Sequence, residues 1–283
     1  YPLRRQRQMC IRDSSKEVVD LIAFCTKNPE PMLIHMDTLK QYGQYWFVTI
    51  TPYGKEIEPN VPDKKIVMDS FRRLSDIVGI DSIGWRYDPI MVDATHTVEW
   101  HISEFEKMAA TLSGYTRTCV ISFIDIYKKV ERNFPEAMEV SHNDKITIGK
   151  AFIEIASRYG MTIKPCAEGN ELATYGADCS GCMTVDTFEK ALHNRLEIPK
   201  GKVNQRNGAC VCVLGVDIGA YDTCGHLCKY CYANADKALV RANMKKHNPE
   251  SPFLIGESMP GDVIHEAIQK SWIDRQLRFD YFY

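Results

Sequence analysis

Short apolar runs alternate with longer amphipathic segments through the first part of the chain, and that alternation limits the fold more than any other feature. VDLIAFC (19–25), WFVTIT (46–51), SIGWRYDPIM (82–91), TCVISFIDIY (118–127) and MTIKPCAE (161–168) read as strands. PMLIHMDTLKQYG (31–43), KIVMDSFRRLSDIVG (65–79), VEWHISEFEKMAATLSGY (98–115) and NDKITIGKAFIEIASRYG (143–160) carry helical spacing. Asn143 or Asp144 is the expected cap of the last helix. A charged helical piece is expected after residue 127. The pattern makes five βα-like units. Parallel strands need long crossovers, so strand alternating with helix predicts a parallel sheet. The strands are near-continuous apolar runs, as expected when both faces are covered. No Gly-rich phosphate loop follows any strand, which favours an α/β fold of the partial (β/α)6 or TIM-like barrel kind over an open doubly wound sheet.

The opening YPLRRQRQMCIRDS does not begin with Met, is dense in Arg and has no apolar period. Its stretch RQRQMCIRDS resembles a translated sequencing-adapter read-through, so residues 1–14 are expected to be non-native; a disordered basic tail is the alternative. A further strand and helix are then expected ahead of residue 15, bringing the unit count to that of a (β/α)6 barrel. The expected organisation is a non-native segment 1–14, barrel units over 15–168, and a cysteine-rich segment over 169–283. In that last part VCVLGVDIGAY (211–221) could add a strand and YANADKALVRANMKKH (232–247) reads as a helix.

An apolar fraction of 45% and a charged fraction of 25% belong to an ordinary globular protein that needs no disulfides for its core. The net charge of -2 gives no support to a nucleic-acid or membrane-surface binder. No run approaches the roughly 18–20 apolar residues of a membrane span. A cytoplasmic, reducing setting is the expectation, and there eleven cysteines read as metal ligands or core residues.

Side chains at i and i+2 of a strand share a face. Cys25 with Lys27, Thr49 with Thr51, Arg86 with Asp88, and Cys166 with Glu168 each fall at the C-terminal end of an expected strand. In (β/α) barrels that rim carries the active site. Lys27 and Glu168 are candidate acid–base groups, and Arg86 and Asp88 are candidates for holding a carboxylate or phosphate. Asp125, closing VISFID, is expected at the same rim. The plainer alternative is a structural Arg86–Asp88 ion pair and packed threonines.

Residues 224–231 read CGHLCKYC, placing Cys224, Cys228 and Cys231 at C-x3-C-x2-C. Random placement of eleven cysteines gives that spacing about 0.02 times per chain, so it calls for a chemical reason. Thiolates are soft ligands suited to iron–sulfur clusters, zinc or copper. Three thiols hold a cubane with one iron left open. Cys166, Cys182, Cys210 and Cys212, and also Cys179, are candidates for a second metal site or for small buried hydrophobes. Cys25 and Cys119 lie in apolar runs and are expected in the core.

With an aromatic before its third cysteine, CGHLCKYC resembles the motif of the radical S-adenosylmethionine (SAM) superfamily. The resemblance implies a 4Fe-4S cluster on Cys224, Cys228 and Cys231, whose open iron binds SAM, and a 5′-deoxyadenosyl radical that abstracts hydrogen from a substrate. It also implies a full or partial (β/α) barrel. The chain departs from that superfamily in placing the motif after the barrel-like units, and no Gly-Gly-Glu segment follows it. From about residue 15 the chain resembles an uncharacterised prokaryotic family of unknown function whose members carry such a C-terminal cluster. FCTKNPEPML, TPYGKEIEPNVP, GWRYDPI, VISFIDIY, CAEG and VDIGAYDTCGHLCKYCYAN carry the likeness.

The leading expectation is therefore a radical-SAM-like iron–sulfur enzyme, with a small-molecule substrate and a protein reductant as partners and no membrane or nucleic acid. A barrel protein with a structural zinc site, in which Cys212 joins the three motif cysteines, is the first alternative. A non-catalytic iron–sulfur electron-transfer or binding protein is the second.

Overall fold

A computed structural model describes residues 16–202, 212–213, 215, 218–251, 253–257, 260 and 270–275. Strands β1 (Leu21–Thr26), β2 (Gly43–Thr49), β3 (Ile83–Ile90), β4 (Thr118–Phe123) and β5 (Thr162–Pro165) form one sheet in the order β1-β2-β3-β4-β5. Every pairing is parallel, and the register shifts between Tyr87 and Ile90. This five-stranded parallel sheet is the mixed α/β core that the alternation predicted.

Three long helices connect the strands: α3 (Lys64–Val78), α4 (Val98–Leu112) and α6 (His142–Arg158). They follow two short helices, α1 (Glu30–Leu33) and α2 (Met36–Leu39), which stand where one helix over 31–43 was expected. His35, at φ −103 and ψ 2, leaves the helical region and breaks that run. Helix α5 (Lys128–Asn133) is the charged piece after β4. The cap of α6 is Ser141, not Asn143 or Asp144; its Oγ accepts from the Asp144 N–H and donates to the Asp144 carboxylate at 2.7 Å.

Strand alternation sorts the core into two faces. Trp46, Val48, Trp85, Tyr87, Cys119, Ile121 and Ile163 pack with Phe71 and Leu74 of α3, Phe105 of α4 and Phe152 of α6. Phe105 stacks on Phe152 at 3.8 Å and on Trp85 at 4.9 Å between ring centroids. The opposite face holds Tyr45, Phe47 and Val120. It is covered by Phe188 of α7 (Val185–Leu192), a helix the cysteine-rich composition concealed, together with Cys182 and Val213.

The expected strand over 211–221 falls partly outside the described residues; within it, Val213 N–H donates to the Met183 carbonyl at 2.8 Å. The expected helix over 232–247 is α8 (Lys237–Met244). It starts late because Asp236 caps it, accepting from the Ala238 and Leu239 N–H groups at 2.8 and 2.9 Å. No helix among the described residues is long and apolar enough to cross a membrane.

Candidate functional site

The residues just past β1 and β2 meet over the C-terminal edge of the sheet. Lys27 Nζ lies 2.8 Å from Oε1 of Glu58 and 3.4 Å from Oγ1 of Thr51. Thr51 donates to the same carboxylate oxygen at 2.6 Å. Lys64, the first residue of α3, pairs with Glu58 Oε2, and the Tyr230 hydroxyl donates to Glu58 Oε1. The Glu58 side chain is only 1% exposed. Burial by itself would raise this carboxyl, but the charges and hydrogen bonds of Lys27 and Lys64 outweigh it and hold it at about 2. Burial, and then the Glu58 charge, push the Tyr230 phenol well above its ordinary value, so Tyr230 is the donor.

Tyr230 belongs to the cysteine loop, and the loop after β2 receives it through backbone groups as well. Asn60 N–H donates to the His226 carbonyl at 3.2 Å, and Asn60 Nδ2 to the Gly225 carbonyl at 2.8 Å. Lys229 N–H donates to the Ile57 carbonyl at 3.0 Å. Asn234 Nδ2 closes the loop on the Cys224 carbonyl at 2.9 Å. Arg132 and Asn133, at the end of α5, hold the carbonyls of Ala235 and Asn234. Leu227 turns at φ 55 between the first two motif cysteines, a left-handed conformation that costs a branched residue about 1 kcal/mol and persists because the docking contacts over-determine it.

Cys224, Cys228 and Cys231 thus stand on one short, anchored loop at the sheet edge. As a donor set, three soft sulfurs suit a thiophilic metal centre. Burial pushes the Cys228 thiol up to about 12, with Lys27 opposing. A bound metal reverses that preference by deprotonating its thiol ligands. Among the described residues no three His, Cys, Asp or Glu side chains are already gathered in a form that holds a metal ion.

The second group lies on the opposite face of the sheet from the long helices. Arg86 Nη2 and Nε reach Asp88 Oδ2 at 2.5 and 3.2 Å, and Ser122 Oγ donates to Asp88 Oδ1 at 2.5 Å. Beside them Cys166 Sγ is 3.8 Å from Cys182 Sγ, which is 3.6 Å from Cys212 Sγ. The hydrogen bond from Cys182 foremost, and the Arg86 charge after it, pull the Cys166 thiol down to about 7 against the effect of burial. Cys182 is pushed up in turn, chiefly by its hydrogen bonds to Cys166 and Cys212.

The remaining expected residues lie elsewhere. Glu168 accepts from the Phe123 N–H at 2.8 Å and from Lys145 at 3.2 Å, which closes the end of β4. Asp125 is exposed and takes the Tyr127 hydroxyl at 2.9 Å. Cys179 packs against the larger core cluster. Cys210 lies outside the described residues. Cys119 is fully buried as expected, whereas Cys25 is exposed near the end of β1, an edge strand among the described residues.

Glu58 and Lys64 escaped the sequence reading. The only signal for Glu58 was its place in TPYGKEIEPNVP, a stretch of unusual composition with no strand or helix period.

The fold and site define a parallel α/β protein with a thiol-rich C-terminal loop docked on the strand ends. The chain belongs to the family described as Domain of unknown function (DUF1848), whose model matches residues 2–233 and so takes in both the sheet and the cysteine loop. No curated protein matches it.

Proposed function

We propose that the protein is a radical-SAM-like iron–sulfur enzyme in which Cys224, Cys228 and Cys231 hold a 4Fe-4S cluster. One observation carries this reading: Tyr230, inside the motif, bonds the buried Glu58 that Lys27 also bonds, so the cysteine loop sits on the C-terminal ends of the first strands. The order of the motif along the chain is therefore no obstacle, since folding returns it to the edge where parallel α/β proteins carry their sites. The sequential strand order, with α3, α4 and α6 packed on one face, supports a sheet curled as part of a barrel.

When bound, the cluster supplies one electron to S-adenosylmethionine. The chain's own groups do the positioning. Lys27 and Lys64 place positive charge beside a loop that becomes anionic once its thiols deprotonate. Arg86, held by Asp88 and Ser122, presents a fixed guanidinium on the other face, suited to an anionic group of a small-molecule substrate. A protein reductant and a reducing cytoplasm complete the reading.

The test is the iron and sulfide content of protein prepared without oxygen. Close to four of each per chain is expected for one cubane. Cys224→Ala, Cys228→Ala and Cys231→Ala should each lose most of the iron, while Cys119→Ala, far from the loop, should keep it. Full iron in all three motif variants overturns the assignment.

A further inference from the structure

We infer that Cys166, Cys182 and Cys212 form a second and independent metal site, built for a single zinc ion. The sulfurs come from three separate pieces of chain: the residue after β5, the loop beyond Gly181, and the segment entering Val213. Cys182 joins them, at 3.8 Å from Cys166 and 3.6 Å from Cys212. A tetrahedral zinc with Zn–S bonds of about 2.3 Å spaces its ligand sulfurs by about 3.8 Å. Both separations match that edge. The ligands of a cubane sit on different irons and stand much farther apart, so the spacing selects a mononuclear ion.

The three thiols are not yet gathered round one point. Cys166 and Cys212 are both only partly buried, and the proposed site requires a change of side-chain rotamer that brings their sulfurs together. The backbones are held in place already. Cys166 N–H donates to the Ile121 carbonyl at 2.8 Å, and Val213 N–H to the Met183 carbonyl at 2.8 Å. Lys164 fastens the intervening loop, reaching Asp178 at 2.7 Å and the Gly181 carbonyl at 3.2 Å.

The surroundings suit a zinc thiolate. Tyr45, Phe47, Val120 and Phe188 pack with Cys182 and give the site an apolar wall. Three thiolates on a divalent ion carry one net negative charge; the Arg86 guanidinium lies beside Cys166, with Asp88 as its own partner at 2.5 Å. Three protein ligands leave the fourth position for water or another oxygen, nitrogen or sulfur donor.

The test compares zinc in the full-length wild type and two variants grown with added zinc. The wild type and Cys228→Ala should hold about one zinc per chain, and Cys182→Ser less than a tenth of that. Because Cys182→Ser could fail to fold, a second measurement uses chelator-stripped Cys228→Ala, in which the motif set is one thiol short, titrated with cobalt. Tetrahedral thiolate–cobalt absorption should develop to one equivalent, with the far-ultraviolet circular dichroism constant throughout. Zinc retained by Cys182→Ser, stripped Cys228→Ala that takes no cobalt, or a Cys166–Cys182 disulfide in anaerobic protein would each overturn the site. Iron with sulfide lost from Cys182→Ser would overturn its mononuclear character. Loss of zinc on changing Cys182 with no iron effect from Cys228 keeps this site and removes the cluster proposed above.

Discussion

Lys27 Nζ lies 2.8 Å from Oε1 of Glu58, a carboxylate 1% exposed, and this contact ties the end of β1 to the loop after β2. Lys64 completes the group from the start of α3. Removing one partner of a buried ion pair leaves the others charged without compensation. Lys27 and Lys64 are themselves only 14% and 22% exposed. Glu58→Gln should therefore lower stability by about 3–5 kcal/mol, read from urea unfolding. The pH dependence has a definite sign. The carboxyl is held at about 2, below its ordinary 4.5, so its stabilisation is present above pH 4.5 and is lost as pH falls toward about 2. The variant should lack that acid limb. An unchanged urea midpoint with an unchanged limb would refute the role given to Glu58.

Tyr230→Phe isolates the docking of the cysteine loop. The ring stays in contact with Tyr53, at 6.1 Å between centroids, and only the hydrogen bond to Glu58 is lost. A bond to a charged group is worth about 1.5–3 kcal/mol, which corresponds to at least a tenfold rise in local opening. The amide of Lys229, which donates to the Ile57 carbonyl, should exchange with solvent at least about tenfold faster, while amides of β3 keep their rates. Equal exchange at Lys229 in both proteins would show that backbone contacts alone hold the loop.

These contacts show where the sequence speaks and where it is silent. The five strands were legible because each is an apolar run at least partly buried by the fold, and burial is what hydrophobic periodicity records. The pairing of Arg86 with Asp88 was legible too, since strand period alone puts i and i+2 on one face. Glu58 had no such signature. Two of its partners, Lys27 and Tyr230, stand 31 and 172 positions away, and a loop carboxylate reads as solvated until those partners are known. The late start of α8 was hidden for a different reason. Asp236 is a local signal, but YANADKALVRANMKKH offers helical spacing on both sides of it. Cys25 misled because an apolar run does not reveal that its strand lies at the edge of the sheet.

Gly43 opens β2 where the two edge-proximal strands begin to pair, opposite Leu21. A Cβ placed there would come within 2.5 Å of the Asp20 carbonyl oxygen, a backbone atom that cannot rotate away. It would also meet the Leu192 side chain of α7. Gly43→Ala should therefore force the start of β1 away from β2 and cost about 1–3 kcal/mol, despite the entropy that alanine saves in the unfolded chain. Gly79→Ala is the contrast: nothing lies within 4 Å of its Cβ, and the cost there comes from φ 88 alone. Measured by thermal unfolding, Gly43→Ala should also loosen hydrogen exchange in β1. A stabilised Gly43→Ala protein would mean that β1 is not held as described.

His101 carries the last prediction, and it concerns the core rather than the site. Its ring is fully buried in α4. Nε2 lies 2.6 Å from the Met91 carbonyl, which only accepts, so Nε2 bears the proton. Nδ1 then accepts from the Tyr87 hydroxyl at 2.8 Å. Burial holds the imidazole down at about 4, against an ordinary 6.5, with the Met91 bond opposing. The unfolded chain thus takes up this proton first, and stability falls as pH drops from 6.5 to about 4. The fall should amount to about 3 kcal/mol, each tenfold change in proton affinity being worth about 1.36 kcal/mol. His101→Gln keeps a donor for Met91 and an acceptor for Tyr87 without a titrating group. Its unfolding free energy should be level from pH 6.5 to about 4.5, below which the loss governed by Glu58 sets in. A wild type already level between pH 6.5 and 4 would mean that His101 is not held neutral in the fold.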